Sequence, residues 1–81
     1  MTEIANHPTP TEAFQMAVAV CKNLKRLSDK SGVAYNVIWL INQGTRRPSA
    51  TVAVRIEKAT MGAVRRGWLR PDLWDANYRP E

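Results

Sequence analysis

Apolar side chains recur along this chain at intervals of three and four, in short blocks separated by glycine, asparagine and proline. That spacing places them on one face of a helix, and the alternation that marks a strand is nearly absent. The first block starts at Thr9-Pro10-Thr11-Glu12. Thr9 can accept from a free amide of the first turn, proline suits the first helical position, and Glu12 can reach back to the Thr9 amide. The predicted helix runs to about Cys21, with Phe14, Ala17, Val18 and Cys21 on its apolar face. Lys22-Asn23 breaks the pattern, and Asn23 is a good cap for a second helix over roughly 24–31, with Leu24 and Leu27 facing inward. Gly32 ends it, and Val33-Ala34 completes a very short connection to a third helix over about 35–43. Val37, Ile38 and Ile41 share one side of that helix, and Gly44 stops it. Ala34 has no side chain with which to cap its start, which costs about 1 kcal/mol of local stability.

After the basic loop Thr45-Arg46-Arg47-Pro48, Ser49 can cap a fourth helix over about 50–60. Val52, Ala53, Ile56 and Ala59 give its buried stripe, Arg55 and Lys58 point outward, and Gly62 marks its end. Ala63-Val64 then reads as extended, residues 65–69 as one more helical turn, and Arg70-Pro71-Asp72-Leu73-Trp74 as a turn whose apolar side chains pack back on the body. Residues 1–8 and 75–81 show no period, so we expect a flexible arm, an ordered domain over 9–74 and a frayed tail. The fold class is all-α, with four or five helices.

Composition narrows the function. The chain has 81 residues and 44% apolar content, enough for one small core. A single cysteine, Cys21, excludes a disulfide scaffold and is expected to be a packed thiol. No apolar run approaches the ~18 residues needed to span a bilayer, and Met1-Thr2-Glu3-Ile4 lacks the pattern of a secretory leader. The expected setting is therefore cytoplasmic, without a membrane partner. His7 stands alone without a second ligand at metal spacing. The carboxylates Asp29, Glu57, Asp72 and Asp75 show no acid–base pairing, and there is no glycine-rich phosphate loop. No cofactor, metal, small-molecule substrate or enzymatic activity is expected. Twelve Lys and Arg against seven Asp and Glu leave a net charge of +5, which attracts polyanions, and nucleic acid is the commonest inside a cell.

The stretch from Leu24 to Gly44 is the most informative. Two short helices joined by a glycine-centred turn are the arrangement of a helix-turn-helix. A crossing near right angles brings Leu27, Val33, Ile38 and Ile41 together and needs a small side chain at Ser28; all five residues suit that geometry. Further segments add to this: Leu27-Ser28, Gly32-Val33, Gly44, Arg46-Arg47-Pro48, Ile56-Glu57-Lys58-Ala59-Thr60 and Leu69-Arg70-Pro71-Asp72-Leu73-Trp74. On these segments the chain resembles the phage Cro-like helix-turn-helix regulators, of the lambda-repressor/Cro type, and particularly the YdaS-type antitoxin family of prophages. The resemblance covers about Leu24 to Trp74. It implies a compact DNA-binding domain acting as an operator-binding transcription regulator, more often a repressor, and dimeric on DNA.

At 100° per residue, the face of the third helix opposite Val37, Ile38 and Ile41 carries Tyr35, Asn36, Trp39, Leu40 and Gln43. In a helix-turn-helix that face enters the major groove. Asn36 and Gln43 suit paired hydrogen bonds to adenine, Leu40 suits contact with a thymine methyl, and Tyr35 and Trp39 suit phosphate or sugar contacts. Phosphate contacts are expected from Thr45, Arg46 and Arg47 after the helix and from Lys22, Asn23 and Lys25 around the start of the second helix. Arg65, Arg66 and Arg70 are expected to form a solvated, solubilising face. The competing expectation is an antitoxin or adaptor that uses the Trp39-Leu40 face to bind a toxin or a polymerase subunit, because exposed apolar clusters often mark an interface.

Overall fold

A computed structural model of the protein describes residues 8–75. Residues 1–7, with His7, and 76–81 lie outside the described residues, and with them most of the expected arm over 1–8 and tail over 75–81. Five helices and no strand occur among the described residues: α1 Pro10–Cys21, α2 Leu24–Ser31, α3 Tyr35–Gln43, α4 Ala50–Ala59 and α5 Arg66–Leu69. None is long and apolar enough to cross a membrane.

Three of the first four helices begin at a side-chain cap. The Thr9 hydroxyl accepts from the Glu12 amide at 3.2 Å, and the Glu12 carboxylate accepts from the Thr9 amide at 3.0 Å. This reciprocal pair satisfies two donors that the helix leaves free. Asn23 Oδ1 accepts from the Arg26 amide at 2.9 Å and Ser49 Oγ from the Val52 amide at 3.2 Å. Ala34 precedes α3 without any side-chain cap.

The tight α2–α3 connection rests on three residues. Gly32 sits at φ +75°, a conformation that a side chain disfavours. Buried Ser28 donates to the Val33 carbonyl at 2.6 Å, so its hydroxyl ties α2 to the residue beyond the turn as well as leaving space. Ser31 donates to the Leu27 carbonyl at 2.6 Å. With these bonds made, no buried side-chain polar atom lacks a partner among the described residues.

α2 is the centre of the packing: α1, α3 and α4 all lie against it, and α5 closes over α1 and α4. The core gathers Phe14, Ala17 and Cys21 of α1, Leu27 of α2, Val33 of the turn, and Ile38 and Ile41 of α3. Ala53 and Ile56 of α4 complete it with Val64 and Leu69. Cys21 is a buried free thiol. Leu27, Val33, Ile38 and Ile41 meet as the apolar spacing requires.

Several expectations need correction at the C-terminal end. Leu73 does not pack back; it is 47% exposed, while its neighbour Trp74 joins the core margin. Arg65, Arg66 and Arg70 are not a solvated face, being half-buried. The Arg65 guanidinium lies over the Trp68 ring and that of Arg66 over Trp74. Arg66 Nε donates to Glu57 Oε1 at 2.5 Å, a nearly buried ion pair between α4 and α5. The apolar stems of the arginines cover the core while their heads find carboxylate or aromatic partners. Gly67 is required for a different reason from Gly32: a Cβ there would collide with the Asp75 backbone carbonyl. The packed body therefore includes Asp75, and it also includes half-buried Pro8 at the other end.

Candidate nucleic-acid interface

α3 is held by its inner face and leaves the outer one open. Ile38 and Ile41 anchor it in the core, and Val37 packs at the margin. On the other side Tyr35 is 46% and Trp39 45% exposed, and Asn36 and Gln43 are exposed as well. Leu40 is the exception within the expected face. It is half-buried, because its position falls at the edge between the inner stripe and the outer surface. Tyr35 and Trp39 are one turn apart, so their rings share one ridge, with Asn36 beside them and Gln43 one turn beyond Trp39.

α3 contains no charged residue: its sequence is YNVIWLINQ. The cations lie on the segments around it. Gly44 ends the helix at φ +84°, with the Gly44 amide donating to Ile41 and the Thr45 amide to Leu40. The chain then presents Arg46 and Arg47, both exposed, neither in an ion pair among the described residues. Thr45 is exposed, and its hydroxyl donates to the Leu40 carbonyl at 3.3 Å, which leaves the oxygen free to accept.

Beside this loop runs a groove of about 560 Å³ between the start of α1 and the end of α3. Thr11 and Gln15 line one wall, Gln43, Arg46 and Arg47 the other, and Phe14 contributes to its lining. Gln15 Nε2 donates to Asn42 Oδ1 at 2.9 Å across it, fixing α1 against the last turn of α3.

The loop is also held from the far end of the chain. Arg70 Nη1 donates to the Pro48 carbonyl at 3.0 Å, while its Nε and Nη2 grip both oxygens of Asp72 at 2.9 and 2.7 Å. This two-pronged bond from Arg70 is the main reason that the Asp72 carboxyl titrates low, at about 2, and the more distant charge of Arg47 adds to it. The same bond raises the Arg70 guanidinium further above its already high value. Sequence reasoning missed this clip. Arg70 and Asp72 are only two residues apart, which is a legible signal for a local ion pair, but nothing in the sequence points Arg70 at Pro48.

The residues expected at the start of α2 divide. Lys22 is exposed and lies in the joint between α1 and α2 at φ +90°. Asn23 is exposed, but its Oδ1 is committed to capping, so only its amide nitrogen remains for a phosphate. Lys25 pairs with Asp29 one turn on, at 3.3 Å and largely in solvent. Such a pair contributes little to stability and is readily exchanged for another anion. Arg26 is a further exposed cation on the same turn, and Arg55 of α4 lies across Gly32 at the α2–α3 turn, where a Cβ would meet its guanidinium at 3.0 Å.

No group of three or more His, Cys, Asp and Glu is placed to hold a metal among the described residues. The chain matches no family model, no curated protein and no solved structure.

Proposed function

We propose that this chain is a sequence-specific regulator of transcription that binds duplex DNA through a helix-turn-helix formed by α2 and α3, in the manner of the Cro-like and YdaS-type proteins that its sequence resembles. The observation that carries the reading is the free outer face of α3. It offers two amides and two large rings to a partner, and two unpaired arginines follow it directly. A helix of this diameter fits the major groove, where amides address base edges. Arg46 and Arg47, with Thr45, then meet the phosphates beside the groove, and Lys22, Asn23 and Lys25 approach a second stretch of backbone.

One such domain has a small footprint, so useful affinity calls for a homodimer on two half-sites about one turn of DNA apart. Repression by occlusion of a promoter, in the cytoplasm of a bacterium or as a phage product, is the mode the resemblance suggests. The test is binding of the purified chain to a duplex library, with Asn36→Ala and Arg46→Ala compared in parallel. Loss of duplex binding in both, with the fold intact, supports the reading.

A second reading rests on one observation. Tyr35 and Trp39 are nearly half exposed on a single ridge, and aromatic side chains are the commonest anchors of protein interfaces. On that reading the chain is an antitoxin or adaptor for a toxin or polymerase subunit. Its signature is partner binding that survives Arg46→Ala and varies little with salt.

A further inference from the structure

We infer that the base pairs under α3 are restricted to A·T and that thymine methyl groups are part of what is read; this rests on the duplex-binding reading above. The inference comes from what the face of α3 contains and what it lacks. Guanine is read in the major groove chiefly by Arg or Lys, which donate to its O6 and N7. α3 has neither. Its outward hydrogen-bonding groups are the hydroxyl of Tyr35, the indole N–H of Trp39 and the amides of Asn36 and Gln43. An amide both donates and accepts, the complement of adenine N6 and N7. Asn42 is half-buried and engaged with Gln15, which removes the nearest competing amide from the face.

Between the two reading amides stands Trp39, 45% exposed, with half-buried Leu40 beside it. Apart from the single indole N–H, the middle of the face is therefore apolar. The thymine C5 methyl is the apolar feature that the major groove of unmodified DNA offers. Packing the face of the Trp39 ring against cytosine N4 or guanine O6 would strip water from those groups without replacing their hydrogen bonds. Asn36 and Gln43 are seven residues apart, so their positions differ by ~10 Å along the helix, close to three base-pair steps. The expected core is a pair of adenines separated by about that distance, with thymine methyls between them. The cations lie outside this core, on Arg46 and Arg47 and on the start of α2, where they bind backbone without distinguishing sequence.

The test uses the full chain and DNA alone. A random-core duplex library is selected, and the winning duplex is rebuilt with deoxyuridine in place of each core thymidine. That exchange removes the methyl groups and leaves base pairing and phosphates as they were. Binding of the uracil duplex is expected to be about fourfold weaker for each methyl that Trp39 covers, with an unchanged salt dependence. Trp39→Ala is expected to bind the thymine and uracil duplexes equally, with its helical content checked by circular dichroism. Selection of a G·C core, or equal binding of the two duplexes by the unaltered chain, overturns the inference while leaving duplex binding in place. No binding to any duplex at low salt overturns the inference and the reading beneath it together.

Discussion

The Glu57–Arg66 pair makes the fold's sharpest stability prediction. The side chains are only 8% and 12% exposed, so both charges have lost most of their water and depend on each other. Removing one partner from a buried pair typically costs about 3–5 kcal/mol. Two features reduce that figure here: Arg66 retains the face of Trp74 at 5.4 Å, and some solvent still reaches its guanidinium. We therefore expect Glu57→Leu to destabilise the domain by about 2–3 kcal/mol, near the value of one charge-assisted hydrogen bond with its desolvation penalty. For a domain of this size that lowers the melting temperature by about 10–20 °C.

Arg66→Met in the same background keeps the hydrocarbon stem over Trp74 and removes the charge that has lost its carboxylate. The double variant should recover most of the loss, because an apolar pair has no desolvated charge to satisfy. Urea denaturation followed by tryptophan fluorescence is the direct assay, since Trp68 and Trp74 both pack at the core margin beside arginines. A loss below about 0.5 kcal/mol for Glu57→Leu, or a double variant no more stable than that single one, refutes the argument.

Two more perturbations probe the elements that shape the α3 surface. Gly32→Val places a β-branched side chain at φ +75°, which should cost on the order of 1–2 kcal/mol; an unchanged melting temperature would contradict a left-handed turn there. The Arg70–Asp72 clip should act as an acid-sensitive fastening. Asp72 titrates at about 2 when folded, below its unfolded value, so its contribution is complete above about pH 5 and fades as pH falls from about 4 towards 2. The stability gap between the unaltered chain and Asp72→Asn should close over that interval, and a gap independent of pH would rule the clip out.

What could be read in the sequence was local. Thr9 with Glu12, Asn23, Gly32, Gly44 and Ser49 each act within a few residues of their own position, so helix limits and turns were legible from neighbours alone. The outer face of α3 was legible for a similar reason: a fixed step per residue decides which side Ile38 and Ile41 leave open. Leu40 shows the limit of that rule, since an edge position is assigned by what packs beside it.

The contacts that fasten the site were not legible. Gln15 meets Asn42 across 27 residues and Arg70 meets Pro48 across 22, and no local pattern encodes either approach. Arg65, Arg66 and Arg70 looked like a solvated cluster because charge alone suggests water. The burial of Arg65 and Arg66 goes with Trp68, Trp74 and Glu57 arriving at the same place, and that of Arg70 with its bonds to Asp72 and Pro48. Lys22 and Met61 adopt positive φ without being glycine, which their residue types do not announce.

The central claim is that α3 and its flanking arginines engage duplex DNA. The most direct measurement is the affinity of the purified chain for duplex over a range of salt concentrations, repeated with Arg46 and Arg47 both changed to alanine. Affinity should fall steeply with salt, with a log–log slope of several units for about four to six phosphates, reduced by nearly two in the double variant. A flat salt response, or a slope untouched by losing both arginines, would contradict the claim.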